Sequence, residues 1–292
     1  MSKTGHILFV ALLLFAATAI IGGVGIYGAD FYLTSSKERP FHPQYEMLKP
    51  TGLIGHGYGI IGSLMIITGV LLYSGRKRLQ VLGSAGKIKH WLEFHIFLCL
   101  TGPALILFHT TFKFGGLVAV SFWSMVAVVL SGVFGRYLYV QIPKGIQGNE
   151  LTMNELIVQS KSLSDRLQRE YGLTPALIAR VDAVGRSRKP AAQMSTLEVL
   201  VYFVTSDLAR RIRMRRIASV LRQQNLHRAA IHHVLVLANS RLLLARRIAF
   251  LERLRRIFHL WHVIHMPFSI IMFAILFIHV GVAVAFGYRW IW

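Results

Sequence analysis

Long apolar stretches alternate with charged segments along this chain. Five stretches of 19 to 32 residues contain no charged residue, and they lie between Lys3 and Asp30, Lys49 and Arg76, Glu93 and Lys113, Lys113 and Arg136, and Arg256 and Arg289. A bilayer core about 30 Å thick needs about 20 apolar helical residues to cross it. The pattern therefore predicts five transmembrane helices, near residues 6–28, 52–74, 90–111, 115–140 and 257–286.

The first stretch also has features of a secretory signal peptide. Lys3 precedes an apolar core, and Ala17, Thr18 and Ala19 are typical of a cleavage site. The apolar stretch continues past that site to Gly28, which favours a retained helix. We expect the segment to be the first transmembrane helix.

The region 141–256 differs from the apolar stretches. It contains 21 Lys and Arg residues against 8 Asp and Glu, and its uncharged runs are too short to cross a membrane. Thr174 followed by Pro175 is typical of a helix start, and Ser195 with Glu198 is typical of a capping box. We expect a basic, all-helical insertion between four transmembrane helices in 1–140 and a fifth in 257–292.

The second half of this insertion contains no residue that breaks a helix. Residues 191–266 include neither glycine nor proline. One helix of that length would exceed about 110 Å, so a helical hairpin that turns near residues 223–225 is favoured. Its last helix is expected to continue directly into the fifth transmembrane helix.

Lys and Arg residues in short loops predict the orientation, because cytoplasmic loops carry an excess of them. The loop after the second predicted helix contains five such residues and no acidic one: Arg76, Lys77, Arg78, Lys87 and Lys89. We therefore expect a cytoplasmic N-terminus, a cytoplasmic insertion and a C-terminus outside. The composition suits an integral protein of a prokaryotic inner membrane.

Composition excludes several classes of protein. Hydrophobic residues make up 54% of the chain and charged residues 15%, too few charges for a soluble domain, a disordered chain or a coiled coil. A single cysteine, Cys99, excludes a disulfide framework, a covalent c-type haem, a zinc ribbon and a cysteine-ligated iron–sulfur cluster.

A strongly basic segment occupies residues 210–216, and the formal net charge of the chain is +21. Beside a membrane, such density favours contact with anionic lipid or with an acidic partner subunit. No aromatic interleaving or nucleic-acid-binding motif accompanies it. We therefore expect membrane lipid and protein partners, and no nucleic acid.

Two predicted helices carry histidine pairs with equal spacing. His95 and His109 lie on the third helix and His265 and His279 on the fifth, each pair 14 residues apart. Fourteen helical steps return to within about 40° of the same face and rise about 21 Å. Since both helices are expected to run outward, His95 lies level with His265 and His109 level with His279.

Two levels of facing imidazoles are what two stacked haems require, because haem iron takes two axial ligands and neutral imidazole is a standard one. Three other histidines are about 100° or more out of phase with these partners: His90, His259 and His262. Pro103 and Pro267 can kink their helices, so His262 remains the main substitute for His265. Hydrogen bonds between helices are the simpler explanation for a membrane histidine.

The spacing of 14 on two helices resembles that of the dihaem membrane cytochromes b. It is similar to the ferric-reductase-like and NADPH-oxidase-like domains and to the cytochrome b subunits of quinol-oxidising complexes. The resemblance covers 52–140 and 257–286, and it implies two haem b groups that pass electrons across the bilayer. Few residues follow Tyr288, so we expect no flavin or nicotinamide domain, and 141–256 has no counterpart in these families.

Other polar residues are weaker candidates. His56 lies among glycines in residues 55–59 and could meet a quinone or an external donor, or be a hydrogen-bonded helix-end residue. Lys113 on the outer side could pair with haem propionates. Three basic residues on the inner side could do the same or anchor the helices: Lys89, Arg136 and Arg256.

The inner histidines His90, His259 and His262 could form a quinone site, a proton path or a third haem site, or face water. Glu93 is the only acidic residue in the predicted four-helix core, which disfavours proton-pump chemistry.

These features favour a dihaem b-type cytochrome that acts as the quinone-linked membrane subunit of a larger redox complex. Its partners would be peripheral haem or iron–sulfur proteins. One alternative is a stand-alone transmembrane metal reductase fed by a soluble protein that docks on the basic insertion. Another is a haem-free membrane anchor or assembly subunit.

Overall fold

The computed structural model describes residues 3–79, 85–115, 118–142, 152–185, 189–190, 193–222 and 228–287, and all the secondary structure of these residues is helical. The α-helices are α1 (Lys3–Tyr27), α2 (Ala29–Leu33), α3 (Tyr45–Leu48), α4 (Leu53–Arg78), α5 (Ile88–His109), α6 (Val118–Gln141), α7 (Met153–Tyr171), α8 (Pro175–Gly185), α9 (Thr196–Leu208), α10 (Arg210–Arg222) and α11 (Arg228–Ala285). A short 3-10 helix, Arg39–Phe41, lies between α2 and α3.

Five of the described helices are long and apolar enough to cross a membrane, which indicates an integral membrane protein. They are α1, α4, α5, α6 and the C-terminal part of α11, in the order that the uncharged stretches predict. Their ends differ from the predicted ones by a few residues. The largest extension is at the end of α4, whose last turn contains Arg76, Lys77 and Arg78, since basic side chains are favourable at a helix C-terminus.

The predicted helix starts in the basic region are confirmed. The Ser195 hydroxyl and the Glu198 carboxylate form a reciprocal capping box at the start of α9. Hydrogen bonds from Lys189 and from the Ser195 backbone lower the pKa of Glu198 to about 2, so the carboxylate stays ionised at neutral pH. Helix α8 begins at Pro175, and the Thr174 side chain accepts a backbone hydrogen bond at 3.3 Å from its first turn.

The run without glycine or proline has one more break than expected. Helix α9 ends at Leu208 and α10 begins at Arg210, where the backbone N–H of Ala209 bonds back to Thr205 and Asp207. The predicted turn near 223–225 lies outside the described residues. Helix α11 then continues without interruption into the last apolar stretch, as predicted.

The chain forms two compact units, one of Met1–Gly132 with Ile264–Trp292 and the other of Val133–Val263. In the first unit, α4 and α5 pack closely at two glycines. A Cβ atom added to Gly62 would lie 2.7 Å from the Gly102 carbonyl oxygen, and one added to Gly102 would lie 2.6 Å from that of Gly62. Glycines allow such close approach of helices within a bilayer.

The segment between α1 and α4 is ordered around a buried arginine, which the sequence did not indicate. Arg39 is 8% exposed. Its guanidinium donates hydrogen bonds to three backbone carbonyls, those of Thr34 at 3.0 Å, Tyr32 at 2.7 Å and Thr111. Because Thr111 follows α5 directly, Arg39 ties this segment to the end of α5 that carries His109.

The second unit also contains a buried arginine. Arg246 of α11 is 8% exposed and donates to Asp207 at 2.7 Å, to Gln141 at 3.1 Å and to the Ser206 hydroxyl. Its guanidinium carbon lies 4.6 Å from the centre of the Phe203 ring. The charge is therefore paired, hydrogen-bonded and stacked.

We expect Arg246→Met to lower the free energy of unfolding of the second unit by about 3 kcal/mol, because removing one partner of a buried ion pair costs about 3–5 kcal/mol and Asp207 keeps partial access to water. Thermal melting of the purified protein would measure the loss. Arg166→Met is the matched control, since Arg166 and Glu170 form an ion pair with both side chains exposed and such pairs contribute about 0–1 kcal/mol. Equal melting temperatures for the two variants would contradict this role.

Candidate functional site

The two histidines of α5 are held in the same way by backbone carbonyls of α4. The Nδ1 atom of His95 lies 2.9 Å from the carbonyl oxygen of Gly69. The Nδ1 atom of His109 lies 2.9 Å from the carbonyl oxygen of Gly55. Since a carbonyl can only accept, both imidazoles donate Nδ1–H.

This arrangement determines the chemistry of the second nitrogen. A neutral imidazole that donates Nδ1–H carries its lone pair on Nε2. Histidines that ligate metals generally donate their other ring N–H to a carbonyl or a carboxylate, which fixes the tautomer and the ring orientation. His95 and His109 therefore both present Nε2 as the ring nitrogen that could bind a metal.

Two glycines of α4 have the same spacing as the two histidines of α5. Gly55 and Gly69 are 14 residues apart, as are His95 and His109, so the antiparallel helices repeat the same contact at two levels about 21 Å apart. A Cβ atom added to Gly59 would lie 2.9 Å from the Cγ and Nδ1 atoms of His109. The ring of His109 thus packs on bare backbone.

His265 of α11 is held by a serine of α6. The Nδ1 atom of His265 lies 2.6 Å from the Ser131 hydroxyl oxygen, and that hydroxyl donates to the Val128 carbonyl at 2.9 Å. Ser131 thus holds the His265 ring through its Nδ1 atom. A Cβ atom added to Gly132 would lie 3.9 Å from His265 Cε1, which is an ordinary van der Waals contact.

Three histidines lie together at the other level. The rings of His56 and His109 are 6.1 Å apart between centroids. His279 interacts electrostatically with both of them. His279 of α11 therefore lies near both His109 of α5 and His56 of α4.

The weaker candidates have different surroundings. His262, the substitute for His265, lies in the second unit, where its ring contacts Trp261 at 4.7 Å and Phe258 at 5.4 Å. Lys113 is exposed at the turn after α5, and His259 and Arg256 are exposed on α11. Arg136 lies over the ring of Tyr139 at 5.6 Å.

The sequence did not indicate a polar cluster of the first unit. His90, expected at an inner interface, lies beside Glu93 of α5 and His6 of α1. Glu93 Oε1 lies 3.5 Å from His6 Nε2, and Lys89 Nζ lies 2.7 Å from the same nitrogen. Periodicity within one helix cannot reveal a cluster that two helices share.

No protein-family model, curated protein or solved structure matches this chain. Two observations bear on whether these residues could hold haem: His95 and His109 donate Nδ1–H to carbonyls and so present Nε2 as a ligand atom, and Gly59 leaves room for the His109 ring.

Proposed function

We propose that the chain is a dihaem b-type cytochrome that carries electrons across the membrane. His109 and His279 would hold the outer haem, and His95 and His265 would hold the inner haem. Haem b would supply a reversible one-electron couple at each level. The spacing of 14 residues on both helices separates the two levels by about 21 Å, most of the thickness of a hydrocarbon core.

The main support for the proposal is the hydrogen bonding of the histidine Nδ1 atoms. His95 and His109 donate Nδ1–H to the carbonyls of Gly69 and Gly55, and His265 Nδ1 is hydrogen-bonded to the Ser131 hydroxyl. A histidine that donates Nδ1–H to a carbonyl keeps its Nε2 lone pair for a metal. Haem iron is a metal that imidazole commonly ligates.

Each residue has a distinct part in this function. The carbonyls of Gly55 and Gly69 hold the tautomer of the α5 histidines, and Ser131 holds the ring of His265 through Nδ1. Gly59 leaves room for the His109 ring by its lack of a side chain. Arg39 holds the outer segment against the end of α5.

The proposal also covers the orientation of the protein in its membrane and its electron-transfer partners. The basic end of α4, with Arg76, Lys77 and Arg78, supports a cytoplasmic position for that end. By the same rule we expect a cytoplasmic N-terminus, a cytoplasmic basic insertion and a C-terminus outside, in a prokaryotic inner membrane. A quinone beside one haem and a peripheral haem or iron–sulfur subunit would be the electron carriers at the two faces.

Proteoliposomes test the transfer directly. Ferricyanide is enclosed in vesicles whose membrane contains the purified chain. It should lose its colour when a membrane-impermeant reductant is added outside, because the two haem levels would connect the two surfaces. The absorbance of ferricyanide measures the rate. His265→Ala should reduce the rate to that of vesicles without protein, since the inner level loses a ligand.

Two results would count against transmembrane electron transfer. The first is bleaching by the parent chain no faster than in protein-free vesicles. The second is an unchanged rate for His265→Ala together with unchanged haem content. His232→Ala, at an exposed position of the second unit, serves as the control for a histidine substitution that should have no effect.

A further inference from the structure

A compact set of metal-ligating side chains joins α1 to α5. His90 Nδ1 lies 3.2 Å from Glu93 Oε2, and His6 Nε2 lies 3.5 Å from Glu93 Oε1. One ligand atom from each of the three residues lies within 4.8 Å of the others. The Glu93 side chain is 10% exposed, so this carboxylate is nearly buried beside two imidazoles.

The separations are those of ligands around one ion. Zinc bonds nitrogen and oxygen at about 2.0–2.1 Å with tetrahedral angles, which places neighbouring ligand atoms about 3.3 Å apart. The two histidine–carboxylate distances, 3.2 Å to Glu93 Oε2 and 3.5 Å to Glu93 Oε1, end on different oxygens, and each is close to that value. Two histidines and one carboxylate are a common zinc set that leaves the fourth position open.

A cation already faces these groups. The Lys89 ammonium lies 2.7 Å from His6 Nε2 and 3.8 Å from Glu93 Oε1. An ammonium can only donate, so the Nε2 lone pair of His6 is directed toward a positive charge. The Lys89 side chain is 49% exposed, which lets it withdraw to solvent when a divalent ion takes its position.

The surroundings of His6 Nδ1 also indicate that Nε2 is the ring nitrogen that faces a cation. Among the described residues, His6 Nδ1 is a buried atom without a hydrogen-bond partner. The position of the ring is therefore explained by what Nε2 faces rather than by a bond at Nδ1.

We propose that His6, His90 and Glu93 bind a divalent transition-metal ion of the zinc class, which ties the beginning of α1 to the beginning of α5. This site is separate from the four haem ligands and goes beyond the proposed electron transfer. The open coordination position is filled by water or by a small ligand.

Equilibrium dialysis of the full chain against Zn²⁺ tests the site. The protein is purified in detergent on a tag without histidine and stripped with a chelator, and the bound zinc is counted by elemental mass spectrometry. We expect one tightly bound zinc ion per chain. His6→Ala, His90→Ala and Glu93→Gln should each weaken the affinity at least tenfold, because loss of even an outer-shell partner costs about 10–100-fold.

Lys89→Met separates a metal site from a simple ion pair. Removing the competing ammonium should leave the zinc affinity equal or raise it, whereas an ion-pair cluster would bind no zinc in any variant. The double variant His232→Ala and His233→Ala, an exposed pair on α11, should bind zinc as the parent chain does. Loss of zinc in that control with retention in His6→Ala would overturn the assignment.

Haem content measured in the same samples keeps the two proposals apart. His6→Ala should keep its haem and lose its zinc, and this also shows that the variant is folded. His279→Ala should lose haem and keep its zinc. A parent chain that retains no zinc after dialysis contradicts the metal site, whatever its haem content.

Discussion

His109→Ala should lower the haem content of the purified protein from two per chain to one. Its imidazole is the one that both the Gly55 carbonyl and the bare backbone of Gly59 hold in place. Helix α5 has no other histidine at that level, so the outer haem would lose a ligand. An alkaline pyridine assay against protein concentration measures the change, and the inner haem should keep its spectrum.

His56→Ala is the matched control for this prediction. His56 is an imidazole at the same level, 6.1 Å from the His109 ring between centroids, but on α4. We expect its replacement to leave both haems bound. A chain that loses a haem in His56→Ala and keeps it in His109→Ala would show that α4 supplies the outer ligand, and no change in either variant would contradict a haem at this level.

Gly62→Leu should abolish binding of both haems and sharply reduce the yield of folded protein. Gly62 meets Gly102 halfway between the two histidine levels, and an added Cβ would lie 2.7 Å from the Gly102 carbonyl oxygen and 2.9 Å from the Ile106 side chain. Overpacking of this kind costs about 1–3 kcal/mol and occasionally more. The cost of placing a leucine side chain against backbone atoms should lie at the upper end of that range.

The physical reason for the double loss is the position of the contact. Forcing α4 away from α5 at Gly62 also withdraws the carbonyls of Gly55 and Gly69 from the two histidines, one on each side. Gly23→Leu is the matched control, because nothing lies within 4 Å of a Cβ at Gly23 of α1. Haem content and melting temperature of the two variants measure the difference, and equal values would refute tight packing at this crossing.

The sequence was most informative about features that one helix carries alone. Uncharged stretches located the five apolar helices, because an unpaired charge in hydrocarbon is costly. Capping residues located the starts of α8 and α9, because those hydrogen bonds join residues three positions apart. The spacing of His95 and His109 predicted a shared face, since that depends only on helix periodicity.

Contacts between helices could not be predicted with the same success. The sequence did not indicate that the Gly69 carbonyl bonds to His95 or that the Ser131 hydroxyl bonds to His265, because each pair lies on two different helices. One signal was available: the 14-residue separation of Gly55 and Gly69 equals that of the α5 histidines. Two antiparallel helices that repeat one contact twice require this equality.

Buried polar groups of the connecting segments were the least predictable. Arg39 stands in a segment of mixed charge, which is typical of an exposed loop, yet three backbone carbonyls surround it. His6 could be linked to Glu93 only through the packing of α1 on α5. Thr111 is 72 residues from Arg39, and Glu93 lies on a different helix from His6, so no local pattern encodes these two contacts.

A redox-titrated optical spectrum of the purified full-length chain tests the central claim most directly, namely that four imidazoles of α5 and α11 bind two haems. The claim predicts a Soret band, an α band of b type that appears on reduction, and two one-electron components of equal amplitude. A protein without a Soret band, or with a single component equivalent to one haem per chain, would contradict it.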